Sequence, residues 1–459
     1  MKDFARVFRW LVVTAVIAVG LGPAAYAGGG GTEARRLLNR SGIEGGLVLH
    51  LDCDAGRLTA ALYAGEGFVV RGLDRDREQV REARSYVAKR GLYGRVSVGH
   101  WRTQGLPFTD NLVDLVVSRG EPSVSSKEIM RVLSPGGIYC VKRDGKWVTK
   151  PKDWPSAMDE WTHFLHGPDN NAVSKDTRVA PPRYIQWKSG PLWCRSHEFA
   201  SSIHTMVSAK GRLFGIIDEG VIGQPRGVPA QWKLVARDAF NGVLLWKRPA
   251  ASTGRRTLVA RGNKVYVTLD GGAPVSILKA ETGEKIGTCA KTGNTKELVV
   301  SGGLVLARTV QPKKRRRSGE PGQTLVAADA QTGKLTWRKP VANMSARSLA
   351  AKNGKICYRA GGKLVCRRLA NGKKLWTSSV GGRKTYLVMH DGVVLCAGRG
   401  GTRAYAAKTG EKLWRKPVRA RRMPGVFVAN GLVWSSWPSG TPFPGRTFTL
   451  EPMKTVRRG

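Results

Sequence analysis

The sequence is poor in acidic residues and in cysteine. Its 459 residues include 33 acidic against 77 basic side chains, which gives a formal net charge of +44 at pH 7. This imbalance predicts either contact with a polyanion or a strongly solvated basic surface, and no nucleic-acid-reading module accompanies it. Seven cysteines are too few for a disulfide scaffold, which excludes the small disulfide-rich class of secreted proteins.

Long apolar segments are also scarce, and the longest one is at the amino terminus. A basic start precedes an apolar stretch at 10–21, and small residues follow at 25–27. This pattern predicts a secretory signal peptide over residues 1–27, because the apolar stretch is short for a membrane span. An uncleaved amino-terminal anchor is the alternative. We therefore expect a mature chain that is exported, periplasmic or extracellular, with no transmembrane span.

Two cysteines are spaced for contact across a hairpin. In "KICYRAGGKLVCRRL", a turn at Gly361 and Gly362 places Cys357 opposite Cys366. Side chains that face each other in this way are close enough to form a disulfide, and buried free thiols are the alternative.

Residues 33–150 alternate strand-like and helix-like patterns. Apolar runs such as "LVLHL" and "FVVRGLD" are followed by amphipathic segments such as "REQVREARSYVAKRGL". Strands that alternate with helices predict an α/β domain with a doubly wound parallel sheet. Ligands of such sheets bind at the carboxyl ends of the strands.

Residues 155–459 repeat with a period near forty. Five segments align on a glycine with spacings of 41, 50, 39 and 38 residues, and four of them carry Trp four residues later. The aligned glycines are Gly242, Gly283, Gly333, Gly372 and Gly410. The pattern predicts an all-β propeller of about six to eight blades, with an incomplete ring as one alternative. The segment "RYIQWKS" at 183–189 is expected to complete the last blade.

The repeat A-x-D-A-x-T-G-x-x-x-W is intact at 327–337 and resembles the quinoprotein-type, or PQQ-like, propeller repeat. The resemblance implies a fold in which many members bind no quinone and act as scaffolds or interaction platforms. Quinoprotein dehydrogenases add calcium ligands and a Trp that stacks on the cofactor. Because no matching ligand cluster is present in this sequence, the resemblance does not favour PQQ as a cofactor.

The α/β domain contains "VLHLDCDAGRLTAAL", and its second strand ends at an acid, Asp74. These segments resemble the class I S-adenosylmethionine (SAM)-dependent methyltransferases over about 110 residues. The resemblance implies a Rossmann-like fold with a SAM site formed by His50, Asp52, Asp54, Gly56 and Asp74. In that site Asp74 would accept hydrogen bonds from the ribose hydroxyls.

The first motif departs from the family pattern at three positions. His50 stands where the family has an acid, and Asp52 and Asp54 stand where it has glycine. Glycine lets the backbone turn sharply and approach the cofactor, whereas aspartate adds bulk and a charge that repels the methionyl carboxylate. The sequence therefore predicts a degenerate cofactor loop, although aspartate tolerates positive φ better than most residues.

Two further features are candidate binding groups. Four histidines lie close together in sequence: His163, His166, His197 and His204. Their spacing lacks the H-E-x-x-H pattern, so we expect ordinary hydrogen-bonded histidines and no metal site. Basic runs at 313–317 and 418–423 are candidate polyanion contacts.

These observations favour an exported, non-catalytic binding or scaffold protein. Its propeller would present a basic surface to a protein partner or to a polyanionic component of the envelope, with no specific nucleic acid. One alternative is an active SAM-dependent methyltransferase that uses Asp74 and the 52–56 loop. A second alternative is a PQQ-dependent oxidoreductase.

Overall fold

A computed structural model describes most of the chain. The described residues are 29–179, 184–190, 202–223, 227–251, 254–312, 322–381, 385–398, 400–417, 425–438 and 446–452. The predicted signal peptide, both basic runs and His197 lie outside the described residues. None of the helices in the described part is long and apolar enough to cross a bilayer.

The first part of the chain folds into a six-stranded sheet with helices, in the strand order β3-β2-β1-β4-β5-β6. Its strands are β1 (Gly46–Leu51), β2 (Phe68–Asp74), β3 (Val96–His100), β4 (Val113–Ser118), β5 (Leu133–Arg143) and β6 (Lys146–Pro151). Its helices are α1 (Gly29–Ser41), α2 (Arg57–Ala61), α3 (Arg77–Lys89) and α4 (Ser126–Val132). The first five strands pair in parallel, which confirms the predicted doubly wound sheet.

Local sequence explains most of these elements. The apolar runs of β1 and β4 are buried on both sides of the sheet, as parallel strands covered by helices require. Asp76 caps α3, because its side chain accepts hydrogen bonds from the backbone N–H groups of Glu78 and Gln79. Two elements were not predicted: α1, and β6, which pairs with β5 in the antiparallel direction.

The second part of the chain forms a series of antiparallel sheets, of which five have four strands and the last has three among the described residues. The first two blades are β7 (Ile203–Ala209), β8 (Arg212–Asp218), β9 (Trp232–Asp238) and β10 (Leu244–Pro249), then β11 (Leu258–Arg261), β12 (Lys264–Val267), β13 (Ser276–Lys279) and β14 (Lys285–Thr288). The third and fourth are β15 (Thr295–Ser301), β16 (Leu304–Val310), β17 (Gln323–Asp329) and β18 (Leu335–Pro340), then β19 (Ala350–Lys352), β20 (Lys355–Ala360), β21 (Lys363–Arg368) and β22 (Lys374–Ser379). The fifth is β23 (Thr385–His390), β24 (Val393–Gly398), β25 (Gly401–Ala406) and β26 (Lys412–Lys416), and the three-stranded sixth is β27 (Gly425–Ala429), β28 (Leu432–Pro438) and β29 (Arg446–Pro452).

The first strand of each blade packs beside the first strand of the next, from β7 through β27, so these are the inner strands of a propeller. This arrangement confirms the predicted propeller. The described residues contain six blades, which agrees with the lower end of the expected range.

The repeated Trp residues join neighbouring blades. Trp246 at the outer edge of the first blade lies against the Gly283 turn of the second, and its Nε1 donates to Ala280 O at 2.9 Å. Trp337 in the third blade makes the same contact with the Gly372 turn of the fourth blade. These glycines have positive φ, and a Cβ at either position would collide with the indole ring. The glycine and the Trp are therefore one interblade contact.

The second blade lacks this Trp and replaces it differently. Gly287 occupies the Trp position, and the backbone of β14 approaches the Gly333 turn directly. The hydroxyl of Tyr266 in β12 donates to Ala330 O at 2.9 Å, which is the turn carbonyl that a Trp Nε1 bonds in other blades. A tyrosine from a different strand thus supplies the missing hydrogen bond.

The segment expected to close the ring is not a strand among the described residues 184–190. Trp187 instead lies against the Gly242 turn of the first blade, and its Nε1 donates to Ala239 O at 3.0 Å. It therefore makes the same contact as the outer Trp of a preceding blade. In the described residues β29 pairs with β28 and no fourth strand joins it.

Residues 159–171, which we call the axial segment, lie between the inner strands. One backbone N–H from the inner strand of every blade donates to this segment. The donors are Ser208 to Trp161 O (2.8 Å), Ala260 to Thr162 O (3.0 Å), Val300 to His163 Nε2 (3.0 Å), Ala351 to Pro168 O (2.8 Å), Met389 to Asp169 O (3.0 Å) and Val428 to Asn171 Oδ1 (2.8 Å). The axial segment thus contacts all six blades in chain order.

The two facing cysteines occupy the predicted positions. Cys357 in β20 lies directly opposite Cys366 in the neighbouring strand β21. Both thiols are buried and free, so the structure has the reduced alternative and not the disulfide.

Candidate functional site

The structure brings the loop after β1 together with the end of β2. The backbone N–H of Asp54 donates to Asp74 Oδ2 at 3.0 Å, and that of Asp76 donates to Asp74 Oδ1 at 2.9 Å. Asp74 is almost completely buried. Each of its oxygens keeps a second lone pair, so Asp74 can still accept a hydrogen bond from a ligand hydroxyl.

The loop has the backbone shape of a glycine-rich turn although it carries two aspartates. Asp52, Asp54 and Gly56 have φ values of 49°, 46° and 77°. At Gly56 a side chain is excluded, because a Cβ would lie 2.8 Å from the Cβ of Ala83 in α3. The aspartates therefore stand in left-handed conformations that favour glycine, at some cost in backbone energy.

The loop is also electrostatically unusual. Burial, and then the negative charge of Asp74, raise the pKa of Asp52, while Arg75 lowers it. The Asp54 side chain is mostly exposed and lies 3.7 Å from Nη1 of Arg119. Three carboxyl groups thus converge at this edge of the sheet, with two arginines beside them.

His50 is placed differently from the other predicted site residues. It is 1% exposed, and its Nδ1 is 2.8 Å from the hydroxyl of Thr59 in α2. Burial, and then the charge of Arg119, lower the pKa of His50 to about 3, so the imidazole is neutral. A neutral, buried ring bonded to α2 stabilises the strand-to-helix connection and is not exposed to a ligand in solution.

Sequence reasoning did not identify the two arginines at this edge. The Arg75 guanidinium carbon lies 4.0 Å from the centre of a Trp101 ring, and its Nε donates to Ser123 Oγ at 2.8 Å. Nη2 of Arg119 donates to Glu33 Oε2 at 2.6 Å, which ties the end of β4 to α1. Both arginines follow the last residue of a parallel strand, and this position could have identified them.

The histidines of the axial segment have ordinary partners. His163 is buried, accepts from the backbone of Val300, and has its Nδ1 2.7 Å from Thr162 Oγ1. His166 Nε2 is 2.6 Å from Asp159 Oδ2. In the part of the chain that the structure describes, no group of three or more His, Cys, Asp or Glu side chains is placed to hold a metal ion.

Comparisons with known proteins match both parts of the chain. Residues 48–137 match the family model of a methyltransferase domain. Residues 230–443 match the PQQ-type repeat model described as outer membrane protein assembly factor BamB.

Individual relatives match over parts of the chain. The ubiquinone/menaquinone biosynthesis C-methyltransferase UbiE of Hydrogenovibrio crunogenus is 35% identical over 126 residues, which are 26% of this chain and 49% of UbiE. The match therefore spans about half the length of that enzyme.

Two solved structures are also similar. A protein of Methanococcus maripaludis described as an S-adenosyl-L-methionine-dependent methyltransferase is 28% identical, with 25% of this chain and 56% of that chain covered and a TM-score of 0.23. BamB from Moraxella catarrhalis is 13% identical, with 52% and 77% covered and a TM-score of 0.35. By the two family-model matches, the chain joins a methyltransferase-like Rossmann domain to a PQQ-like, BamB-type repeat propeller.

Proposed function

We propose that this chain is an exported binding or scaffold protein whose methyltransferase-like domain no longer binds SAM. In this proposal residues 1–27 are removed, residues 33–150 form the degenerate domain, and residues 155–459 form the propeller that binds a partner. One observation carries the proposal: Asp52 and Asp54 occupy the left-handed loop positions that a cofactor loop assigns to glycine.

The charge of these aspartates opposes the cofactor. SAM carries a negative methionyl carboxylate, and the loop adds negative charge beside Asp74. A like-charge contact at about 4 Å costs about 1 kcal/mol in water and about 4 kcal/mol near a protein surface. One such contact weakens binding by about fivefold to about a thousandfold. Arg119 offsets this only partly, because it also bonds Glu33.

An active SAM-dependent methyltransferase is the second candidate function. Two observations favour it: Asp74 keeps a free lone pair on each oxygen, and the loop keeps the left-handed backbone of a glycine-rich turn. The 35% identity to a C-methyltransferase over 126 residues agrees with this candidate. The two candidates differ in their predicted affinity for SAM.

Calorimetry on the full chain without residues 1–27 distinguishes them. We expect no measurable SAM binding by the natural sequence, and measurable binding after the double change Asp52→Gly and Asp54→Gly. Asp391→Gly is a matched control, because Asp391 has φ 40° in the turn between β23 and β24 of the propeller, away from the α/β sheet. Micromolar binding by the natural sequence would contradict the proposal.

The propeller is the proposed binding surface for a protein partner or a polyanion. The support is the net charge of +44 and the match of residues 230–443 to a family model of an assembly factor. We expect salt-dependent retention on heparin that weakens when the basic run 313–317 is neutralised. Absence of retention at low salt would remove the polyanion part of the proposal.

PQQ-dependent oxidoreduction is not part of the proposal. The axial segment takes a hydrogen bond from the inner strand of each described blade, so residues 159–171 of the chain itself lie between these strands. A red-shifted quinone absorbance after reconstitution with PQQ and Ca²⁺ would restore that candidate.

A further inference from the structure

Two buried carboxyl groups meet where the first blade contacts the α/β domain. Asp114 belongs to β4, Asp238 is the last residue of β9, and each is 8% exposed. Asn241 donates to both carboxyl groups, through its Nδ2 to Asp114 Oδ2 at 2.7 Å and through its backbone N–H to Asp238 Oδ1 at 2.9 Å. Both line a cavity of about 380 Å³ between the two domains. This contact is near the amino ends of the parallel strands, opposite the edge that carries Asp74.

The hydrogen-bond partners of Asp114 are all donors. Its Oδ2 accepts from Leu47 N at 2.7 Å and from Asn241 Nδ2 at 2.7 Å, and its Oδ1 accepts from Ser134 Oγ at 2.9 Å. Asn241 belongs to the propeller and also donates to Leu112 O at 2.9 Å. Asp114 is therefore central to the polar contacts that join the two domains.

Asp238 has a second role in its own blade. Its Oδ1 accepts from the backbone N–H groups of Phe240 and Asn241, which shapes the turn before Gly242. Asp329 occupies the same repeat position in the third blade and accepts from two backbone N–H groups in the same way. The turn therefore accounts for an aspartate at this position but not for its place beside a second buried carboxyl group.

The surrounding charges do not neutralise the pair. Glu44 from the α/β domain and Lys210, Arg212 and Glu281 from the propeller also line the cavity. Arg212 favours the charged form of Asp238, but its Nη2 is also 3.3 Å from Glu281 Oε1. Burial, and then the charge of Asp238, raise the pKa of Asp114 to about 8. Because two buried carboxylates that lie close together repel each other, the pair retains one proton at neutral pH.

We propose that the proton shared by Asp114 and Asp238 is a pH-sensitive latch that holds the first blade against the α/β domain. When the proton is present, one carboxyl donates to the other and the interface is satisfied. When it is lost, two adjacent negative charges remain in a buried interface and the domains separate.

The direction of the pH dependence follows from proton linkage. An aspartate in solvent has an ordinary pKa near 3.8, and the docked state raises that of Asp114. The docked state therefore binds more protons between these two pH values, so docking weakens as the pH rises and is lost as the pH passes about 8. The latch operates on the domain contact and is independent of whether SAM binds.

Small-angle scattering on the full chain between pH 6 and pH 10 tests the latch. We expect a constant radius of gyration below pH 7 and an increase as the pH passes about 8, with the far-UV circular dichroism unchanged. Asp238→Asn keeps an oxygen for the turn and supplies an amide donor to Asp114, so it should remain docked up to pH 10. Asp329→Asn is the matched control and should retain the transition of the natural sequence.

Asp114→Asn is a second variant in case Asp238→Asn does not fold, and it should also remove the transition. The proposal is overturned if the radius of gyration of the natural sequence is constant from pH 6 to pH 10. It is also overturned if either asparagine variant keeps the natural midpoint, or if expansion and loss of circular dichroism coincide.

Discussion

Replacing Asn170 tests how strongly the axial segment holds the blades together. Asn170 is 5% exposed, and its Nδ2 donates to Leu349 O at 2.8 Å and to Leu387 O at 3.0 Å, in two different blades. Its Oδ1 accepts from Arg256 Nη1 at 3.3 Å. Removal of the Asn170 side chain takes one hydrogen bond from each of these three buried partners.

The expected cost follows from these contacts. Each lost hydrogen bond that leaves a buried partner costs about 1 kcal/mol, so Asn170→Gly should destabilise the propeller by about 3 kcal/mol. Asn170 also has φ 64°, a left-handed conformation that glycine adopts freely and alanine does not. Asn170→Ala should therefore cost about 1 kcal/mol more than Asn170→Gly.

Differential scanning calorimetry measures both the cost of the lost hydrogen bonds and the cost of the left-handed backbone. A loss of about 3 kcal/mol lowers the melting temperature of a domain this large by roughly 6 °C. Asn371→Ala is the control, because Asn371 is exposed and accepts one bond, from Lys373 N, within its own turn. A melting temperature of Asn170→Gly within 1 °C of the natural sequence would refute the role of the axial segment. Equal melting temperatures of Asn170→Gly and Asn170→Ala would refute the expected backbone cost of alanine at this position.

Three further predictions follow from buried groups. Tyr266→Phe leaves Ala330 O without its interblade donor and should cost about 1 kcal/mol, measured by calorimetry; unchanged melting would contradict it. Glu297→Ala leaves Arg256 and Arg308 buried without their shared carboxylate and should cost about 3–5 kcal/mol, whereas Glu297→Gln should be milder; equal losses would count against the ion-pair account. The six described cysteines are buried, so they should react with Ellman's reagent only after unfolding, and rapid reaction of several thiols in the native protein would oppose this.

Much of the fold could be predicted because it depends on local requirements. A turn at positive φ needs glycine, and a Trp four residues later packs on the neighbouring turn, so this pair recurs with each blade. Likewise the loop after β1 and Asp74 at the end of β2 lie where a parallel sheet brings strand ends together. Features that repeat along the sequence, or that sit at strand ends, are therefore visible without a structure.

The remaining features depend on contacts between distant residues. The blades bind the axial segment through backbone N–H groups, and such contacts leave no pattern of side chains in the sequence of the blades. Tyr266 replaces a Trp from a different strand, so an alignment of the repeats shows only the loss at Gly287. Asp238 matches the repeat so well that its place beside the buried Asp114 is not visible in the sequence.

The axial segment also has a consequence for the order in which the propeller can form. It precedes every blade in the chain, yet Asn171 bonds Val428 in the sixth blade, 257 residues later. Synthesis from the amino terminus therefore exposes these acceptors long before their last donor exists. Contacts at such large sequence separation carry a high loop-closure entropy and form slowly. Completion of the inner hydrogen-bond set must await the final blade, so a nascent chain spends most of its synthesis with this segment only partly bonded.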